Sequence, residues 1–259
     1  MTTVARIRGP AFDAFPWPKD DVHSLIGTMD REFPSTLYAW SSNGVAGQLA
    51  IAEEQHTHIG YADQDATLHC ERVTGTIPIN AGMYFAVPGP FTISGGRGIA
   101  VRRHDWLGMQ VIGGPVEFKG RLKYIDGCTD SLLIPPVKLG DPCFNLLYFP
   151  PGIDQTAHTH PSVRIGLVIS GRGLCIYDPG AFATSNPAAS AEMDLVPGML
   201  FCIHTNGRHK FATPYGEHMR VVAYHPDSDV GPTDENHPML RKTFVDGVSA
   251  RDLPDIHTR

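Results

Sequence analysis

The sequence predicts an all-β protein. Its apolar runs are short, glycine and proline punctuate nearly all of them, and helical spacing of apolar residues is confined to the region before Pro34. Glycine (27) and proline (22) together supply about one residue in five of the 259, with no period, which reads as many tight turns rather than collagen. Hydrophobic residues at 42% against 19% charged residues give enough apolar material for a folded core. Strands at this spacing close into sandwiches or barrels. A net charge of −6 argues against a nucleic-acid partner, which needs clustered Lys and Arg. No run approaches the roughly 20 apolar residues that span a bilayer. The first residues, MTTVARIRGPAFDAFPWPKD, lack an apolar signal-peptide core, so a cytoplasmic protein with no membrane partner is expected.

From the N-terminus, Val22, Leu25, Ile26, Met29 and Phe33 recur at helical spacing behind Pro18, which predicts one short helix over 18–32, halted before Pro34. The pattern then turns to β-like runs: 47–52, 83–87, 91–94 and 99–102, and later 145–149, 165–169, 174–177, 200–203 and 219–224. The segment 79–87 (INAGMYFAV) matches 195–203 (LVPGMLFCI) at an offset of 116, which points to two similar β-modules. The expected organisation is an N-terminal arm and helix over 1–33, a first module over 34–125, a second over 126–230 and a tail over 231–259 that wraps the surface or a partner. The five cysteines are scattered without a CxxC pair, and Cys175 and Cys202 sit in apolar runs as small core residues.

The 13 histidines are the chemical lead. Gly152 is followed after five residues by His158-Thr159-His160, and Gly171 lies farther on; Pro197-Gly198 is followed, eleven residues after the glycine, by His209. This segment resembles the two motifs of the cupin superfamily over about residues 143–226, and the N-terminal half resembles it weakly. The resemblance implies two jelly-roll barrels, the second holding a metal. In a strand, residues two apart face one side, so His158 and His160 can point together, with His209 arriving from a facing strand. Three neutral imidazoles suit one divalent ion per chain, with Fe(II) favoured and Zn, Ni, Mn or Cu possible, and leave positions open for substrate.

Where the family carries an acid, this chain has Arg164. An inward guanidinium favours an anion, most simply a carboxylate gripped bidentately; it could instead weaken metal binding, or a bulge could turn it outward. Cupins lacking the acid are known among dioxygenases of thiols, diketones and carboxylated aromatics, so catalysis is not excluded. His204, near the turn of the second motif, is a candidate base behind the ligands, and His225 a candidate at the cavity mouth. Asp227, Asp229, Asp234 and Glu235 lack calcium-loop spacing and read as a solvated loop. The first module looks degenerate: His56-Thr57-His58 has Ala50 where the motif glycine belongs, and the residue eleven after Gly82 is Ile93. A second metal there would have to use His69 or His104. Val163, Ile165, Leu167 and Ile169 are apolar on one face, which needs cover from the other module or from a second subunit in a homodimer. The resulting expectation is a non-haem Fe(II) dioxygenase acting on a small anionic substrate. A non-catalytic ligand-binding cupin, or a Zn- or Ni-dependent isomerase or hydrolase, is the alternative.

Overall fold

The computed structural model describes residues 7–8, 11–17, 23–27, 30–42, 47–52, 54–71, 75–178 and 190–258, with backbone alone for 7–8 and 23–27. The first strands are β1 (Ile7–Arg8), β2 (Phe12–Phe15), β3 (His23–Gly27), β4 (Ser35–Ser41), β5 (Gln48–Ile51) and β6 (Thr57–Ala62). They are followed by β7 (Ala66–Cys70), β8 (Ile77–Ile79), β9 (Tyr84–Pro88), β10 (Phe91–Ser94), β11 (Arg97–Arg103) and β12 (Val111–Gly113). The second half has β13 (Leu122–Lys123), β14 (Thr129–Ile134), β15 (Cys143–Phe149), β16 (Arg164–Gly171), β17 (Gly173–Tyr177) and β18 (Ala191–Leu195). It continues with β19 (Leu200–Ile203), β20 (His209–Ala212), β21 (Met219–His225), β22 (Phe244–Val245) and β23 (Val248–Ser249).

Two large antiparallel sheets dominate, ordered β12-β9-β6-β11-β4-β3 and β1-β2-β19-β16-β21-β15-β14-β13. Smaller sheets, β5-β10-β7-β8 and β18-β17-β20, accompany them. The expected short helix is not seen. Residues 23–27 instead run along β4, with His23 opposite Ala39 and Gly27 opposite Thr36, and residues 18–22 and 28–29 lie outside the described residues. An open edge on β4 offers backbone partners to the whole segment, and that outweighs a weak helical preference. Likewise the N-terminal arm crosses to the other half, where Phe12 to Phe15 pair with Ile203 to Leu200 on β19.

The sequence repeat is a repeat of register. Gly60 pairs with Phe85 on β9, and Gly166 pairs with Phe201 on β19. A Cβ at either glycine would lie 2.2 Å from the ring of its phenylalanine, so only glycine admits the ring across the strand. The apolar face of β16, with Ile165 and Leu167, packs with Ile59, Ile99 and Val101 of the other sheet in one shared core. That face is therefore covered within the chain and offers no surface to a second subunit. Two further cores fill the barrels, one around Trp40, Phe85 and Phe91 and one around Phe149, Phe201 and Phe211. All five cysteines are free and buried, Cys175 and Cys202 among them. The tail forms the β22–β23 hairpin with short 3-10 turns. None of the described helices is long and apolar enough to cross a membrane.

Candidate metal centre

His158, His160 and His209 converge, one ring nitrogen of each lying within 4.8 Å of the others. The expected continuous strand through His158 and His160 does not form. His158 makes a single two-way backbone pair with His209, at 2.9 and 3.0 Å, and β16 begins only at Arg164. The Pro161-Ser162 bend breaks the strand, and His160 is fixed by its carbonyl, which accepts from Asn206 N at 2.7 Å. His158 Nδ1 lies 2.8 Å from the Thr156 carbonyl, and His209 Nδ1 lies 3.0 Å from that of Gly207. A carbonyl accepts, so both rings carry their proton on Nδ1 and present an Nε2 lone pair. His209 Nε2 is buried and has no hydrogen-bond partner.

Burial lowers His160 to about 3, helped by the charge of Arg164, and burial lowers His209 to about 4. Both are neutral at pH 7, the form that coordinates metal. Convergent imidazoles, two of them oriented by backbone carbonyls and one with an orphaned buried nitrogen, fit a divalent ion held by three protein ligands.

The three histidines line a cavity of about 580 Å3 in the C-terminal barrel. Arg164 and His225 line it as well, whereas His204 does not. His204 Nε2 instead stands 3.4 Å from the buried Asp13 carboxylate on β2. Burial, with the nearby Arg164, pushes His225 well below its usual range. Asp227, read from sequence as part of a solvated loop, faces Arg164: its carboxylate takes Nη1 at 3.1 Å and also bonds Ser162 Oγ. Ser162 Oγ accepts from the same Nη1, while Arg164 Nε is buried without a partner.

Two cavity residues went unnoticed in the sequence: Asp130 on β14 and Asn145 on β15. The available signal was an asparagine inside the apolar run of β15, since a polar side chain at a core position is the informative exception. Asp30 also went unread. Its Oδ1 accepts from Glu32 N and Phe33 N at 2.9 and 3.0 Å, and its Oδ2 from Val163 N and Thr205 Oγ1 at 3.0 and 3.1 Å.

In the N-terminal half, His58 is buried on β6, its ring 5.3 Å from that of Phe91. His69 Nδ1 bonds the Gly75 carbonyl, and His104 Nε2 lies 2.9 Å from Thr36 Oγ1. Among the described residues, no group of potential ligands other than the three histidines converges.

Solved structures share this fold at low identity. A Pseudomonas aeruginosa protein named for glyoxylate induction superposes with a TM-score of 0.63 at 12% identity, covering 90% of this chain and 95% of its own. A cupin 2 conserved barrel domain protein from Leptotrichia buccalis gives 0.55 at 11%, covering 81% and 91%. The chain has the cupin fold. Bacillus subtilis oxalate decarboxylase, described for its Mn(II) centres, gives 0.50 at 10% identity, covering 98% of this chain and 84% of its own. No protein-family model and no curated protein sequence matches the chain.

Proposed function

We propose that this cupin is a non-haem Fe(II) dioxygenase acting on a small carboxylate-bearing substrate. The observation that carries the reading is the placement of Arg164 in the same cavity as three convergent histidines. His158, His160 and His209 would hold the ion. When bound, Fe(II) supplies redox chemistry with dioxygen and coordination positions the protein leaves open. The chain's own residues do the rest. Asp227 and Ser162 fix one corner of the Arg164 guanidinium, which leaves Nε for a substrate carboxylate. Phe149, Phe201 and Phe211 on the cavity wall exclude water and favour an apolar substrate body. The oxalate decarboxylase neighbour makes Mn(II) the second metal to test.

The test is elemental analysis of untagged protein beside His160→Ala, followed by oxygen uptake with a panel of carboxylates. About one iron per chain, lost in the variant, with carboxylate-dependent oxygen uptake that falls in Arg164→Ala, supports the reading. Stoichiometric zinc or nickel with turnover but no oxygen uptake moves the assignment to an isomerase or hydrolase. No bound metal, even after reconstitution, leaves a ligand-binding cupin centred on Arg164.

A further inference from the structure

Besides His209 Nε2 among the convergent histidines, two buried atoms in the cavity lining lack hydrogen-bond partners, and their hydrogen-bonding characters are opposite. Arg164 Nε is a donor and Asn145 Oδ1 an acceptor. Asn145 is only 7% exposed, and its amide group bonds the Asp130 carboxyl on the neighbouring strand. Burial pushes that carboxyl up to about 6, the Asn145 bond offsetting part of the rise. An unpartnered buried polar atom costs about 1–3 kcal/mol. An acceptor pair at one place and a donor at another therefore describe the polarity of whatever fills the cavity.

Register gives the spacing. Asn145 lies opposite Ala223 on β21, and Ala223 opposite Gly166 on β16, two residues beyond Arg164. Two strand spacings and two residues along a strand separate the Cα atoms of Asn145 and Arg164 by roughly 12 Å. A ligand serving both carries its two polar groups at opposite ends, several bonds apart. The small side chain of Ala223 between them leaves room for its body.

We infer that Asn145 and Asp130 form a recognition subsite for a hydrogen-bond-donating group, hydroxyl or ammonium, at the far end of a carboxylate substrate whose near end Arg164 holds. The inference rests on the carboxylate reading of Arg164 above and names a narrower class: long hydroxy or amino acids rather than plain carboxylates.

The experiment is isothermal titration of the purified chain under nitrogen with two matched pairs. These are 3-phenylpropionate against 3-(4-hydroxyphenyl)propionate, and hexanoate against 6-aminohexanoate. The donor-bearing member of a pair binds about tenfold tighter to the wild type, the effect of one well-placed buried hydrogen bond. Asn145→Leu, similar in size, brings that ratio to within about twofold. Asp130→Asn, which needs no change of shape, keeps a preference for the phenol and loses any preference for the ammonium. Equal affinity within both pairs in the wild type overturns this inference and leaves the Arg164 reading intact. A preference that survives in both variants overturns it as well. No binding of any of the four overturns both.

Discussion

The two barrels of this chain share a sheet order and a glycine–phenylalanine crossing, yet they use their interiors in opposite ways. Ala66 opposite Ile79 and Gly173 opposite Leu195 bring β7 and β17 into correspondence. Phe91, opposite Cys70, then occupies the place of His209, opposite Tyr177. Ile51, which pairs with Phe91, occupies the place of His158, which pairs with His209. Where the C-terminal barrel presents imidazoles to a cavity, the N-terminal barrel closes with Phe91 among Trp40, Phe85 and Ile93. One architecture thus supports a packed plug or a hollow polar site. The difference is made by a few inward side chains.

The strongest way to break that comparison is to copy the plug. His158→Ile with His209→Phe replaces two of the three convergent nitrogens by the N-terminal pair. Metal content by elemental analysis should fall from about one per chain to background, because one remaining imidazole cannot hold the ion. The melting temperature of the metal-free variant should stay level or rise, since the change removes a buried nitrogen without a partner. Retained metal would mean that the three histidines are not the ligands.

Protonation separates the barrels next. In metal-free protein, His160 at about 3 and His209 at about 4 both lie below the ordinary 6.5 because of burial first. A histidine with a depressed value binds fewer protons folded than unfolded. Stability is therefore whole above about pH 6.5 and falls as the pH drops towards the folded values, by up to about 1.4 kcal/mol per pH unit for each histidine. Urea midpoints at about pH 7, 6 and 5 should show this slope in the metal-free wild type. The slope should be shallower in the double variant, which keeps only His160 of the two.

The sequence made the site more legible than its surroundings. Gly152, the His158-His160 pair and Pro197-Gly198 before His209 are local spacings, and local spacings survive translation into structure. The helix over 18–32 was misread because apolar spacing cannot report that an edge of β4 stands waiting. Counting eleven residues from Gly82 makes Ile93 the counterpart of His209, but the connection from β9 to β10 is shorter than that from β19 to β20, and the register moves the counterpart to Phe91. The partnership of Arg164 with Asp227, and that of Asp130 with Asn145, joins separate strands that no local pattern connects.

The glycine crossing tests whether the two modules are alike in energy as well as in register. Gly60→Ala and Gly166→Ala each place a Cβ 2.2 Å from a phenylalanine ring. Each should cost about 3 kcal/mol in denaturant unfolding. Phe85→Leu and Phe201→Leu should recover part of the loss in their own module and none in the other. A large cost in one module alone would show that the shared register hides different packing.

The smallest effect is expected where the arm meets the metal barrel. Asp30 bonds its own turn through Oδ1 and, through Oδ2, both Val163 at the head of β16 and Thr205 in the turn that carries Asn206. Burial alone would raise its carboxyl above the ordinary 3.8, but the N–H groups of Phe33, Val163 and Glu32 and the Thr205 hydroxyl outweigh burial and hold it lower. A carboxylate held low contributes stability above its unfolded value and loses it as the pH falls through the folded one. Asp30→Asn keeps the shape and removes the charge, so it should cost about 1.5 kcal/mol at neutral pH, in the range for hydrogen bonds to a charged group. In acid, once the wild-type carboxyl is itself protonated, the two proteins should converge. Because Asp30 ties the turns on either side of His160 and Asn206, the variant should also release metal faster at pH 7. No such change should follow from Gly60→Ala, which costs more stability but lies in the barrel without the convergent histidines. Equal metal release in both variants would mean that lost stability alone, and not the tie at Asp30, loosens the site.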